Sequence, residues 1–311
     1  MNNLEVDRMH SLFKQNNQFN VGDFQDFESI QTIYHYTSIE SLKSIISNKS
    51  FWISNCHFLN DSQEMLYTIK LVKEICDKKF NNPSIQELVE NYIEEATSIR
   101  NLFVLSTSLN SDNPTLWYNY APNDGYNIGF NLKNIVELII DNIKHKFGIT
   151  ENITGIQPQI SGVILYDKVN YEKDSQEKII EQVFRHYEEL LCKTNNLQEK
   201  YAYKILTIHN LLICSAFFKD KYFLSEDEFR IVVNIHSGID NAIKFRTSDG
   251  SIIPYIELGL RKGVSHNLPI SEILIGPKNN SEIAKKGLEV FLDYMKYGYV
   301  NVKKSDGPLR F

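Results

Sequence analysis

An acidic cluster at the start of an apolar stretch is the first place where this chain could carry chemistry. Residues 225–230 read Ser-Glu-Asp-Glu-Phe-Arg, and the residues that follow alternate as they do in a β-strand. Because side chains two residues apart on a strand share a face, we expect Glu226, Glu228 and Arg230 to converge. Two carboxylates and a guanidinium on one face can act together on a polar substrate. On a solvated face the same pattern is an ion-pair ladder that contributes little stability.

A second candidate is the strand predicted over residues 32–37. Alternation places His35 and Thr37 on one face and Tyr34 and Tyr36 on the other. A histidine and a hydroxyl at a junction between strand and helix can bind a ribose or an amide. The alternative is a core histidine whose ring is hydrogen-bonded to a backbone carbonyl, because buried polar groups are normally paired.

Hydroxyl and aromatic side chains supply two further candidates. Ser106 and Ser108 share a face at the end of an apolar strand, where they either contact a ligand or cap a turn. Trp117 and Tyr120 follow that strand, and such rings either stack on a planar ligand or pack in the core. The sequence leaves both alternatives open for each pair.

Motifs for several other chemistries do not occur in the sequence. The histidines and cysteines show no metal-ligand spacing, and there is no phosphate-binding loop, dinucleotide-binding glycine pattern or nucleophile elbow. The net charge is −6 and no run of Lys and Arg exceeds two residues, so constitutive nucleic-acid binding is not expected. Without a basic, apolar leader or a long apolar run, the chain is predicted to be cytoplasmic and to lack a membrane segment.

The elements that must position these side chains alternate between strand and helix patterns. They predict an α+β fold with a mixed or antiparallel central sheet, flanking helices and a helical insertion over residues 172–217, which contain no Gly or Pro. We predict a single domain over residues 1–311, with an N-terminal lead over residues 1–31. Strands are expected near residues 32–37, 51–54, 101–108, 125–130, 161–166, 228–235, 252–258 and 270–275. The expected core residues are Leu42, Ile45, Trp52, Phe103, Leu105, Phe130, Ile231 and Val233.

Taken together, the motifs resemble those of a large bacterial family of uncharacterised proteins. The order and spacing match along roughly residues 32 to 311. The motifs are Y-H-Y-T at 34–37, W-x-S at 52–54, L-N-D-x-x-E at 59–64, L-S-T-S at 105–108, L-W-x-x-Y at 116–120, I-G-F at 128–130, F-K at 218–219, E-x-E-F-R at 226–230, I-G-P at 275–277 and P-L-R at 308–310.

The first of these motifs also resembles the first strand of ADP-ribosyltransferases, which use NAD as a substrate. In that family a His or Arg on the first strand contacts the adenosine ribose. A middle element carries Ser-Thr-Ser or Tyr, and a late Glu, often within E-x-E, holds the nicotinamide ribose. The resemblance implies an ADP-ribosyltransferase-like sheet in which His35 and Thr37 form the first element. Residues 106–108 are then the middle element, and Glu228 with Glu226 is the late acid.

The resemblance also implies roles in breaking the nicotinamide–ribose bond. This reaction passes through an oxocarbenium-like state, so an ionised Glu228 at the ribose 2′-hydroxyl would stabilise the positive charge. Glu226, about 6.6–6.8 Å away along a strand, would orient or deprotonate the acceptor. The diphosphate is assigned to Arg230 and Lys219, and the nicotinamide ring to Trp117 or Tyr120. The implied NAD-binding residues are His35, Tyr36, Thr37, Ser106, Ser108, Trp117, Tyr120, Lys219 and Arg230.

The sequence leaves the acceptor and two other function classes open. The acceptor is a protein, a nucleic acid, a small molecule or water, and antiphage defence or toxicity is the expected setting. A non-enzymatic ligand-sensing or protein-interaction module would tolerate Glu228→Gln without loss of function. A metal-dependent hydrolase or nuclease would need Glu226, Glu228 and Asp61 within reach of one metal ion.

Overall fold

The computed structural model describes most of the chain, and its contacts divide the chain into two compact units. The helical unit includes Asn60–Ile99 and Asp167–Phe223, and the sheet unit comprises Phe27–Leu59, Arg100–Tyr166 and Leu224–Phe311. The residues described are 30–59, 64–98, 101–146, 162–235, 242–248, 250–260, 267–279 and 282–307. Asp61, the closing P-L-R motif and nearly all of the predicted N-terminal lead lie outside them.

The described strands form a ten-stranded, mostly antiparallel sheet, and the pairing of β9 with β10 is parallel. The strands are β1 (Thr32–Thr37), β2 (Ser50–Asn55), β3 (Leu102–Ser108), β4 (Tyr126–Asn131), β5 (Gly162–Lys168), β6 (Glu228–Ile235), β7 (Ile243–Ser248), β8 (Ser251–Gly259), β9 (Ile270–Ile275) and β10 (Asn301–Lys304). The strand order is β10-β9-β4-β1-β3-β2-β8-β7, and β6 pairs with β3 and β5. The predicted α+β class with a mixed or antiparallel sheet is confirmed. Strands β7 and β10 were not expected, because β7 alternates apolar and polar residues over only four positions and β10 contains a single apolar residue.

The helices are capped where the sequence provides capping side chains. They are α1 (Ile39–Asn48), α2 (Glu64–Lys79), α3 (Pro83–Ser98), α4 (Pro114–Tyr120), α5 (Leu132–Lys146), α6 (Lys173–Lys193), α7 (Leu197–Phe217) and α8 (Glu282–Tyr294). The Ser38 side chain accepts a hydrogen bond from the Ser41 N–H group and so begins α1 as predicted. Helices α6 and α7 occupy the predicted helical stretch at 172–217. No helix in the described ranges combines the length and apolar character that a membrane crossing requires.

The core of the sheet unit lies on one face of the sheet. Alternate residues such as Ile33, Ile53 and Phe130 point to this face and pack with residues of α1, α5 and α8. The predicted core residues found buried are Leu42, Ile45, Phe103, Leu105, Phe130, Ile231 and Val233. The prediction for Trp52 was wrong, since 45% of this residue is exposed. Its neighbours Phe51 and Ile53 take the core face, so alternation turns Trp52 to the opposite one.

The helical unit has its own apolar core between its helices. Tyr92 of α3, Phe184 of α6 and Leu211 of α7 are fully buried. Phe80 packs edge-on against Phe184, with 5.1 Å between the ring centroids. This unit is therefore stabilised by packing between amphipathic helices.

Candidate functional site

The two edges of strand β3 are paired differently, and this difference shapes the candidate site. One edge pairs with β6 along the whole strand. The other edge is shared, because Val104 pairs with Ser54 of β2 whereas Ser108 pairs with Tyr34 of β1. We call the gap between these two pairings the fork. The backbone of β3 within the fork needs another hydrogen-bond partner.

His35 supplies that partner from β1. Its Nδ1 lies 3.2 Å from the Ser106 carbonyl oxygen, which can only accept, so Nδ1 carries the proton and Nε2 is the acceptor nitrogen. Desolvation of the ring lowers the pKa of His35 below its usual value of 6.5. The bond to Ser106 opposes this shift, and the charge of Arg246 adds to it. The imidazole is therefore neutral at pH 7, in the backbone-bonded arrangement that was the alternative to a ligand-binding role.

The opposite side of the sheet from the core carries most of the candidate residues, and we call it the polar face. Ser106 pairs in register with Arg230, and Ser108 with Glu228, so these four side chains share one face. Tyr36 lies on the same face, because Tyr34 of the same strand pairs with Ser108. The structure thus brings the predicted middle element and the late acid together.

Glu228 and Arg230 form a buried ion pair on this face. Arg230 Nε donates to Glu228 Oε1 and Arg230 Nη2 donates to Glu228 Oε2, each at 2.8 Å. Arg230 is 1% exposed and Glu228 is 7% exposed. A planar guanidinium that binds both carboxylate oxygens fixes the orientation of the carboxylate as well as balancing its charge. Glu228 is therefore a rigidly held group.

The expectation that Glu226 and Glu228 follow one another along a strand was wrong. Glu226 ends a 3-10 helix (Lys221–Glu226), and Asp227 adopts a left-handed conformation with φ of 45°. Strand β6 begins only at Glu228, so the E-x-E alternation does not hold. Glu226 is also buried, but it accepts a separate hydrogen bond of 3.0 Å from the Tyr120 hydroxyl.

Ser108 supports the turn that separates the two glutamates. Its Oγ lies 2.9 Å from the Glu226 carbonyl oxygen and 3.1 Å from that of Asp227, and it accepts a hydrogen bond from the Asn110 N–H group. This is the turn-capping alternative considered for the serine pair. Ser106 differs, because its hydroxyl makes no hydrogen bond to any of the described residues.

Helix α4 covers part of the polar face next to Tyr36. Trp117 is 3% exposed and packs edge-on against Tyr36, with ring centroids 4.8 Å apart. Its Nε1 donates to Asp112 at 2.6 Å. The Tyr36 hydroxyl donates to the Asn110 carbonyl and accepts from the Asn113 N–H group, each at 2.8 Å. Desolvation raises the pKa of Tyr36. Of the two aromatic candidates, Tyr120 is the more exposed.

Three predicted residues lie apart from this group. His35 and the buried Thr37 lie on the core face of β1 with Ile33. Lys219 belongs to the helical unit, where its Nζ lies 3.0 Å from Glu64 Oε1, with both side chains buried. The proposed metal ligand Asp61 is not among the described residues. Within those residues, no group of three His, Cys, Asp or Glu side chains could hold a metal ion.

Three side chains beside the fork were not predicted as site residues. These are Trp52 of β2, Tyr255 of β8 and Arg246 of β7. Val104 shares the polar face with Ser106, and it pairs with Ser54, which in turn pairs with Tyr255. Trp52 is two residues from Ser54, and Arg246 pairs with Ile253, two residues from Tyr255, so both lie on the same face. The W-x-S motif was a usable signal, since alternation puts Trp52 and Ser54 on one face. Arg246 was missed because β7 itself was not predicted.

Comparison with known proteins supports the likeness to an uncharacterised family over part of the chain. Residues 116–231 match the model of a family described as "Protein of unknown function (DUF2971)". The matched stretch contains Trp117, Tyr120, Glu228 and Arg230. No curated protein and no solved structure matches the chain.

Proposed function

We propose that this protein breaks the nicotinamide–ribose bond of NAD and transfers ADP-ribose to an acceptor. The observation that carries the proposal is the carboxylate of Glu228, held in a fixed orientation by Arg230 on the face that also carries the Ser106 hydroxyl. A preorganised carboxylate is what stabilisation of an oxocarbenium-like centre requires.

In the proposed reaction the bond between ribose C1′ and the nicotinamide nitrogen breaks, and nicotinamide leaves with the bonding electron pair. Glu228 accepts a hydrogen bond from the ribose 2′-hydroxyl and stabilises the positive charge on the sugar. The acceptor attacks C1′ and loses a proton, which Glu226 or solvent takes. The products are nicotinamide, ADP-ribosylated acceptor and a proton. With water as the acceptor, the same reaction yields free ADP-ribose.

The structure changes the parts that some residues play in this proposal. Arg230 is buried and binds both oxygens of Glu228, so we assign it to positioning Glu228 instead of to the diphosphate. His35 lies on the core face of β1 with Ile33, and its Nδ1 is bonded to the Ser106 carbonyl, so we assign it to holding the β3 backbone instead of to the ribose. Tyr120 is the ring we assign to nicotinamide. Lys219 has no part in the proposal because it pairs with Glu64.

The test must separate loss of chemistry from loss of folding. Glu228→Gln alone removes the carboxylate that pairs with the buried Arg230, and removing one partner of such a pair is strongly destabilising. The double variant Glu228→Gln/Arg230→Met removes both charges, so it should regain stability. The experiment measures nicotinamide release from NAD by wild type, both single variants and the double variant, with and without cell lysate as a source of acceptor.

We expect the folded double variant to release nicotinamide about 100-fold more slowly than wild type, or slower still. The exposed Glu289→Gln on α8 is the control for a change of charge, and it should keep full activity. Wild-type rates in the folded double variant would contradict the assignment of Glu228. No release by wild type with any acceptor source would overturn the proposal itself.

A non-enzymatic ligand-binding role is the second candidate, and the internal bonding of both glutamates favours it. Glu228 is held by Arg230 and Glu226 by Tyr120, an arrangement that also suits a rigid binding surface. This role predicts that NAD binds to wild type without turnover. It also predicts that wild type and the folded Glu228→Gln/Arg230→Met variant have the same effect on cell growth when they are expressed.

A further inference from the structure

The polar face carries a second group of side chains beside the fork, and we call it the indole platform. It consists of Trp52 and Ser54 of β2, Tyr255 of β8 and Arg246 of β7. Register places all four on one face, since Ser54 pairs with Tyr255, and Arg246 pairs with Ile253, two residues before Tyr255. None of them has a part in the proposed bond cleavage.

The two aromatic rings of the platform pack against each other at a tilt, and the indole is partly open to solvent. The ring centroids of Trp52 and Tyr255 are 4.5 Å apart, at an interplanar angle of 33°. Tyr255 is 7% exposed and packs against the indole, whereas Trp52 is 45% exposed. A tryptophan backed by a second ring on a rigid sheet offers a flat surface to another planar group.

The charge of the platform favours an anion. Arg230 is neutralised by Glu228 and Lys244 by Glu257, both on the same face. Arg246, in contrast, forms no ion pair with a carboxylate of the described residues, and its Nη2 donates to Ser54 Oγ at 3.2 Å. A guanidinium carries five N–H donors in a planar fork, a geometry that matches phosphate.

The platform is continuous with the fork. Ser54 belongs to the pairing that closes one end of the fork, and the charge of Arg246 acts on His35, which fills the fork. A ligand on Trp52 therefore lies next to the candidate site.

We infer that the indole platform binds a nucleoside phosphate, with the base stacked on Trp52 and the phosphate on Arg246. This inference does not depend on bond cleavage. The adenosine half of NAD is one source of such a group, and a separate nucleotide is the other. A base without a phosphate would bind to Trp52 only weakly. A phosphate without a base would bind to Arg246 without selectivity for nucleotides.

Isothermal titration calorimetry with AMP tests the platform directly, with adenosine and ribose 5-phosphate as partial ligands. Loss of one base–aromatic stack predicts that Trp52→Ala weakens AMP binding by roughly 5- to 100-fold. Arg246→Gln should weaken the binding of AMP but not that of adenosine. Trp52→Leu, which keeps an apolar cover over Tyr255, is the second variant and should bind AMP as poorly as Trp52→Ala.

Phe245→Ala is the matched control. Phe245 is an exposed aromatic residue next to Arg246 in β7, so alternation places it on the opposite face of the sheet. This variant should bind AMP like wild type. Failure of wild type to bind AMP would overturn the inference. So would equal AMP affinity of wild type, Trp52→Ala and Trp52→Leu.

The two sources of the ligand, and the two proposals, are separated by kinetics. If Trp52→Ala raises the KM for NAD cleavage, the platform binds the adenosine half of NAD. If it weakens AMP binding and leaves cleavage unchanged, the platform binds a separate nucleotide. If AMP binding depends on Trp52 but wild type releases no nicotinamide, the nucleotide-binding inference stands and the proposal of NAD cleavage is wrong.

Discussion

Both units of this protein contain a buried ion pair, and the two pairs are built from different cations. In the sheet unit Arg230 contacts both oxygens of Glu228, two residues away on the same strand. In the helical unit Lys219 contacts one oxygen of Glu64 at 3.0 Å, and its Nζ also lies 4.7 Å from the centre of the Phe223 ring. The first pair joins neighbours and the second joins distant parts of the chain.

The difference shows what each pair is suited to do. A pair within one strand adds little to chain connectivity, but the arginine fork sets the direction of a carboxylate on the sheet face. A lysine is a point charge that tolerates several geometries, so the pair between Lys219 and Glu64 links two segments with less demand on geometry. We therefore associate the sheet pair with function and the helical pair with stability.

The largest expected effect is on the sheet pair. Arg230→Met should lower the free energy of unfolding by about 3–5 kcal/mol, because it removes the guanidinium that pairs with the buried Glu228. Adding Glu228→Gln should recover much of that loss. Urea denaturation of the two single variants, the double variant and wild type gives the coupling energy. Additive single effects would show that the two side chains do not act as a pair.

The helical pair should follow the same rule with a smaller change. Lys219→Met should destabilise by about 3 kcal/mol, near the lower end of the range for broken buried pairs, because an ammonium group lacks the planar fork with which Arg230 holds Glu228. The double variant with Glu64→Gln should again recover stability in urea. A larger loss than that of Arg230→Met would reverse the comparison and make the lysine pair the stronger one.

One buried tyrosine hydroxyl in each unit extends the comparison of the two units, with smaller expected losses of stability. Tyr36→Phe should cost about 1–3 kcal/mol, because it removes the acceptor of the buried Asn113 N–H group. Tyr92→Phe in the helical unit should cost about 0.5–1.5 kcal/mol, since Ser215 keeps its hydrogen bond to the Leu211 carbonyl. Thermal or urea unfolding measures both. Equal costs would mean that the backbone N–H group finds water in the variant.

The smallest expected effect is a pH dependence from His35. Its pKa is lowered in the folded protein, so below about pH 6.5 the unfolded chain binds a proton that the native protein does not. Stability should fall as the pH drops below that value, by up to about 1.4 kcal/mol per pH unit, until the native pKa is reached. His35→Asn, which can still donate to Ser106, should lack this component.

Unfolding in urea at about pH 7.5 and about pH 5.5 checks this prediction. His57, whose pKa desolvation also lowers, is present in both proteins, so its contribution cancels in the comparison. An equal pH dependence of wild type and His35→Asn would show that the imidazole titrates normally in the folded state.

Local chemistry explains which parts of the structure could be predicted from sequence. The cap at Ser38, the alternation in β1 and the apolar run of β6 each depend on a few adjacent residues, and all were found as expected. The fork depends on pairing between strands separated by up to about 70 residues, which periodicity does not report. Two predictions failed for local reasons. The left-handed Asp227 delays the start of β6 to Glu228, and alternation turns Trp52 away from the core although tryptophan is usually well buried.

The fork also bears on aggregation. An open stretch of strand edge with free carbonyl and N–H groups is a template on which a strand of another chain can add. The imidazole of His35 occupies the Ser106 carbonyl at this position, so the gap between β1 and β2 is closed by a side chain that cannot extend a sheet. With its acceptor occupied in this way, Ser106 does not offer its carbonyl to a foreign strand.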